Sequence, residues 1–233
     1  MDKAVFKKSL NHFLFPQFCI SCRKELSIPG IPFCATCENK IKKEYIPEEH
    51  GDFFSGLRDS ESGHEIFYHN LISFYLYRKT ARDLFKEAKF HNHSGCRNYL
   101  LQKTRHRWAN LCPGSVLITL ESSHPFLKKY ARSISRIFDC ESESPFYKKN
   151  RRIKAKTRNA ASRYGIVQDN LFLKKNFRIP PDRNIILLDD VTTTGATLNY
   201  AARLLTEKGA SPEKITAITL FIRENRIQRI PRQ

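Results

Sequence analysis

Two groups of residues in this chain have the types and spacing that do chemistry. The first is an acidic pair, Asp189 and Asp190, which follows the apolar run Ile185 to Leu188 and precedes Thr192, Thr193, Thr194, Gly195, Ala196 and Thr197. An unbroken apolar run of this length suits a strand buried on both faces of a parallel sheet. Leu198, Ala201, Ala202 and Leu205 then recur as one helical face, with Gly209 expected as the C-cap. Strand, loop and helix in this order put a helix N-terminus beside the aspartates, where free N–H groups and the positive dipole end attract a phosphate. Gly195 lets the backbone approach that anion, and the hydroxyls of Thr193, Thr194 and Thr197 can donate to its oxygens. Two carboxylates would repel the phosphate unless they have other work. Accepting hydrogen bonds from the vicinal hydroxyls of a ribose, with Mg²⁺ nearby, is such work.

The second group is cysteine. The sequence reads CISC, then eleven residues, then CATC, so that Cys19, Cys22, Cys34 and Cys37 form two CxxC pairs. Two such turns supply the four sulfur ligands of a tetrahedral Zn²⁺ and leave no open position, so the metal is expected to be structural. A module of roughly 40 residues buries little core of its own, and metal binding would contribute directly to its folding. Paired disulfides or redox motifs are the alternatives, disfavoured by the cytoplasmic location expected below. Cys96, Cys112 and Cys140 share no such spacing and read as free thiols.

A third feature is charge. Lys and Arg number 41 against 23 Asp and Glu, a formal +18, which points to a polyanionic partner. The densest part is KKNRRIKAKTR, in which Lys148, Lys149, Arg151, Arg152, Lys154, Lys156 and Arg158 stand without an acid between them. Such a run reads as a flexible arm for the phosphates of a nucleotide or of a nucleic-acid backbone, with a merely solvated loop as the alternative. The flanking Tyr147, Tyr164 and Phe172 are able to stack on bases or to join the core.

The elements that must position these groups are legible in outline. The 233 residues suit one full domain and a small appendage: a metal-binding module at 1–45, a polar, turn-rich linker at 46–66, and an α/β domain at 67–233. Leu71 to Tyr77 reads as a strand, and Ala81, Leu84, Phe85 and Ala88 as the buried face of a helix, with Lys79, Arg82, Lys86 and Lys89 largely on its other faces. Val116 to Leu120 reads as a second strand, followed by a helix on Leu127, Tyr130, Ala131, Ile134, Ile137 and Phe138, with Pro125 in its first turn. Ile215 to Ile222 completes a βαβ unit with the acidic strand, so the sheet is expected to be parallel with helices on its faces. Neither a signal-peptide pattern nor an apolar run of roughly 20 residues is present, and a cytoplasmic protein is expected.

The stretch IILLDDVTTTGAT, Ile185 to Thr197, resembles the phosphoribosyl-pyrophosphate (PRPP) binding motif of the type I phosphoribosyltransferase family. LNHFLFPQFCISC (Leu10 to Cys22), the second CxxC, KEAKF (Lys86 to Phe90), the basic stretch and the acidic motif together resemble the ComF family over nearly the whole chain. That resemblance implies an N-terminal zinc module joined to a type I phosphoribosyltransferase-like domain. It also implies a role in natural transformation, handling incoming single-stranded DNA, with a DNA-import helicase or other competence proteins as partners. Carried over, it assigns Cys19, Cys22, Cys34 and Cys37 to zinc, and Asp189, Asp190 and Thr193 to Thr197 to PRPP with Mg²⁺. One departure stands out. The family's Val-Pro-apolar-Pro strand end and Arg-Gly-Phe-Asn stretch are replaced by ITLESSHPF, Ile118 to Phe126, which places Glu121 on the pyrophosphate side. Three readings follow: a PRPP-binding DNA-handling protein, a transferase acting on a nucleobase, or a scaffold that has lost both activities.

Overall fold

The structure, a computed structural model, describes residues 17–26, 30–47, 65–120, 124–149 and 165–223. Its elements are α1 (Ala35–Glu44), β1 (Asn70–Leu76), α2 (Lys79–Lys89), α3 (Ser94–Leu111), β2 (Ser115–Thr119), α4 (Phe126–Phe138), β3 (Glu141–Glu143), β4 (Phe146–Lys148), β5 (Leu171–Leu173), β6 (Asn184–Thr192), α5 (Ala196–Thr206) and β7 (Ile215–Ile222).

Five strands form one sheet in the order β1, β7, β6, β2, β3, and every neighbouring pair is parallel. The expected parallel α/β sheet is therefore present. Its inner strands are apolar because helices cover both faces. Leu117, Ile186, Leu188 and Ile218 meet α2, α3 and α4 on one side, while Val116, Ile118, Ile185, Leu187 and Ala217 meet α5 on the other. Neighbouring residues of β2 and β6 thus alternate between two cores, as the two-residue period of a strand requires.

The expected helical faces are in place. Ala81, Leu84, Phe85 and Ala88 of α2 are buried, as are Leu198, Ala201, Ala202 and Leu205 of α5. Three boundaries differ from expectation. Strand β6 runs past the aspartates to Thr192, because Val191 and Thr192 still pair with Phe221 and Ile222. Helix α5 stops at Thr206 with Glu207 at the C-cap. Gly209 lies beyond it at φ +99°, in a turn closed by Gly209 N–H to Thr206 C=O (2.9 Å) and Ala210 N–H to Leu205 C=O (3.1 Å). Pro125 precedes α4 as its N-cap and is not part of its first turn.

Helix α3 has no counterpart in the sequence reading. Its buried face mixes Cys96, Tyr99, Leu100, Leu101 and Trp108 with Thr104 and Arg107, so the apolar period is diluted by polar residues. Those residues are satisfied inside the core: Trp108 Nε1 donates to Thr104 Oγ1 (3.0 Å) and Tyr130 Oη (3.2 Å). Arg107 donates to the carbonyls of Ile46 (3.2 Å) and Ser73 (3.3 Å). The antiparallel hairpin β4–β5 likewise has no counterpart in the sequence pattern. It brackets the basic run and brings the rings of Tyr147 and Phe172 into a stack at 5.7 Å.

The cysteine-bearing segment is fastened to the sheet by its own helix. Glu44, the last residue of α1, is buried and accepts from the backbone N–H groups of Thr80 (3.4 Å) and Ala81 (2.6 Å). A carboxylate there caps the N-terminus of α2, whose own N-cap residue Arg78 provides no side-chain cap. Ile46 N–H bonds to Phe74 C=O of β1 (2.8 Å), and Ser21 donates to Asp83 of α2 (2.8 Å).

Candidate functional site

The acidic pair sits near the carboxyl end of the central strand β6, the position at which open parallel sheets bind ligands. Successive strand side chains take opposite faces, and the two carboxylates have different surroundings. Asp190 is buried and forms an ion pair with Lys89, the last residue of α2. Asp189 accepts a hydrogen bond from Asp190 N–H (2.8 Å) and feels the charge of Lys148 at the end of β4 as well as that of Lys89. Burial, and after it the negative charge of Asp190, push the Asp189 carboxyl up to about 7, against the pull of that hydrogen bond and of the two lysines. At neutral pH Asp189 is therefore poised between its acid and its carboxylate. A cation or a pair of hydroxyl donors would bring it to the carboxylate form.

The loop after β6 is built by its own side chains. Thr192 is buried, and its hydroxyl accepts from Gly195 N–H (3.1 Å). Thr194 Oγ1 accepts from Ala196 N–H (3.4 Å), which leaves the hydroxyl's own proton available to donate. Gly195 stands at φ +72° immediately before α5, a left-handed conformation that side chains rarely adopt. Ala196 and Thr197 open the first turn of α5, so its N-terminus faces the same end of the sheet as the aspartates. Tyr68 is buried, and its hydroxyl lies 3.6 Å from where a Gly195 Cβ would stand. Asn199 of α5 holds the segment before β1 that carries Tyr68, donating to Glu65 C=O (2.8 Å) and accepting from Phe67 N–H (2.9 Å).

On the opposite flank, Thr119 ends β2 beside Leu188 and shares a hydrogen bond with Ser144 (2.6 Å). Glu121, Ser122 and Ser123 lie outside the described residues. The ring of His124 meets the ring of Phe90 edge-on at 4.8 Å. Of the basic run, Lys148 and Lys149 are described. Arg151, Arg152, Lys154, Lys156 and Arg158 lie outside the described residues, as does Tyr164.

Lys89 is the residue beside the acidic pair that sequence reasoning places elsewhere. Helical spacing put it among the residues of α2 facing away from the core, but its side chain is 15% exposed and lies near the rings of Phe85 (5.0 Å) and Phe90 (5.8 Å). As the last residue of α2 it reaches the carboxyl end of β6, where it pairs with Asp190. The available signal was its position within KEAKF.

The four cysteines come together at the start of the chain. Their sulfur atoms all lie within 4.8 Å of one another, and Cys22 Sγ and Cys34 Sγ are 3.6 Å apart. A tetrahedral zinc ion with Zn–S bonds of about 2.3 Å spaces its sulfurs by about 3.8 Å, so the cluster fits a structural zinc. The thiol chemistry agrees. Burial opposes ionisation of Cys19, but N–H groups of Cys22, Cys34 and Ser21 outweigh it and bring that thiol down to about 6. Burial, and then the neighbouring thiols of Cys22, Cys19 and Cys34, push Cys37 up to about 12. Four adjacent thiolates need a cation among them. The remaining cysteines, Cys96, Cys112 and Cys140, are buried.

This chain belongs to the phosphoribosyl transferase domain family, whose model matches residues 96–232. Over most of its length it is also similar to competence protein ComFC of Bacillus subtilis (strain 168), with 24% identity over 211 residues covering 88% of this chain and 84% of that protein. A four-cysteine cluster followed by a phosphoribosyltransferase-like domain is the ComF arrangement. Among solved structures, adenine phosphoribosyl transferase from Trypanosoma brucei, in complex with AMP, pyrophosphate and ribose-5-phosphate, is 11% identical with a TM-score of 0.41, covering 65% of this chain and 83% of that one. Adenine phosphoribosyltransferase from Leishmania tarentolae is 11% identical with a TM-score of 0.40, covering 57% and 73%. Among the described residues no helix is long and apolar enough to cross a membrane.

Proposed function

We propose that this protein binds PRPP at the end of β6 and handles single-stranded DNA during DNA uptake, with its cysteine module holding a structural zinc. The observation that carries the ligand reading is the juxtaposition of Asp189 and Asp190 with a loop preformed by Thr192, Thr194 and Gly195 at the N-terminus of α5. The 5-phosphate would rest on the backbone and hydroxyls of Thr193, Thr194 and Thr197. The ribose hydroxyls would donate to the two aspartates. Mg²⁺, when bound with PRPP, supplies positive charge that offsets the diphosphate, and the raised proton affinity of Asp189 suits a site that expects such charge.

The DNA reading rests on similarity to ComFC, on the +18 charge, and on the hairpin whose strands bracket the basic run. Tyr147 is 44% exposed there and stacked on Phe172, a surface on which a base could lie. Transfer of the ribosyl group is the second reading, favoured by the preformed threonine loop. In it a base nitrogen bonds to C1 as the bond from C1 to pyrophosphate breaks.

One experiment separates these readings: titration of the zinc-loaded protein with Mg²⁺-PRPP and with single-stranded DNA, with an assay for pyrophosphate release. The expected result is binding of both, pyrophosphate release with none of the nucleobases, and DNA affinity falling by about 10³-fold or more between 50 and 200 mM salt. Absence of DNA binding at low salt defeats the first reading, and base-dependent pyrophosphate release establishes the second.

A further inference from the structure

We propose that Lys89 is the cation on the pyrophosphate side of this site: it holds Asp190 while no ligand is bound and turns to the diphosphate when ribose hydroxyls engage that carboxylate. The inference deepens the PRPP reading and rests on it.

Three observations lead to it. Lys89 and Asp190 form an ion pair whose side chains are 15% and 11% exposed, so the ammonium group has left most of its water and depends on an anion. The surrounding Phe85 and Phe90 rings stabilise the cation through their faces but provide no hydrogen-bond acceptor. A ligand that draws on Asp190 must therefore present negative charge of its own within reach of Lys89.

The placement of Lys89 says which part of the ligand that is. The threonine loop leads into α5, which packs on one face of the sheet, whereas α2 packs on the other face with α3 and α4. Phe90, the residue after Lys89, touches His124 at the entrance to α4, so Lys89 stands on the β2–α4 flank of the acidic pair. In PRPP the 5-phosphate and the 1-diphosphate leave opposite ends of the ribose, with the two hydroxyls between them. With the phosphate on the loop and the hydroxyls on the aspartates, the diphosphate extends away from α5 and toward this flank.

The sequence supplies the third observation. Between Thr119 and Phe126 the chain reads Leu120, Glu121, Ser122, Ser123, His124 and Pro125, with neither Lys nor Arg. The segment after β2 thus carries no permanent cation for a diphosphate, and Lys89 from a different helix provides one.

The test compares ribose 5-phosphate with PRPP, both with Mg²⁺, by calorimetry on the full zinc-loaded chain. Lys89→Met is expected to weaken PRPP by about tenfold or more while changing ribose 5-phosphate by less than about threefold. Lys89→Gln, which keeps a donor for Asp190 and protects the fold, is expected to do the same, and Lys89→Arg to restore most of the PRPP affinity. Equal losses for the two ligands in the Gln variant would make Lys89 a structural partner of Asp190 and overturn the inference, as would unchanged PRPP affinity. Wild-type protein that binds neither ligand would instead remove the PRPP reading, and the inference with it.

Discussion

The cysteine cluster and the acidic pair pose the same electrostatic problem and solve it differently. Each gathers groups that become negative at close range: four sulfurs within 4.8 Å in one, two consecutive carboxylates in the other. At the cysteines, burial and the neighbouring thiols drive Cys37 up to about 12, so the cluster reaches its ionised form when a metal joins it. At the aspartates the chain brings its own cation. Lys89 pairs with Asp190, and Asp189 keeps a proton near neutrality through burial and the charge of Asp190. The first arrangement suits a permanent metal that holds a small module together. The second suits a site that must persist without ligand and then exchange a resident partner for an incoming one.

The comparison breaks most readily at the metal. Cys22→Ser, or chelation of the wild type, is expected to remove bound zinc and destabilise the protein by about 3 kcal/mol, a fall in melting temperature of about 6–12 °C. Unchanged melting with zinc absent would show that the cluster does not depend on a cation. A smaller effect is expected at Asp189. Its carboxyl is raised from an ordinary 3.8 to about 7, so between these values the folded chain holds a proton that the unfolded chain has lost. Stability from this group accordingly declines as pH rises from about 4 to about 7 and stays lost above that. Asp189→Asn should raise the ligand-free melting temperature at pH 8 by about 3–6 °C and leave it nearly unchanged at pH 4, measured by calorimetric scans. An equal shift at both pH values would mean that the carboxyl carries no such proton.

What could be read from the sequence divides along the same line. The metal cluster was legible because its ligands lie within one short segment and their spacing encodes the turns. The acidic motif and its loop were legible for a similar reason: Ile185 to Thr197 is a single strand and turn, and its burial pattern follows from a central parallel strand. The partner of Asp190 was not legible, because Lys89 lies 101 positions away and its helical face gave it to solvent. Only the fold brings the last residue of α2 to the carboxyl end of β6. Glu44 escaped for the same reason, as a charged residue at the end of one helix whose role is to cap another. Helix α3 was hidden by its own content, since Thr104 and Arg107 interrupt the apolar period and are satisfied by contacts remote in sequence.

The central claim is that the acidic pair receives the ribose of a phosphoribosyl ligand. Its most direct test is calorimetric titration of wild type and Asp190→Asn with Mg²⁺-PRPP, with zinc content measured on the same samples. The account predicts that the variant loses about tenfold or more in affinity while retaining its zinc. Equal PRPP affinity in the two proteins would contradict it.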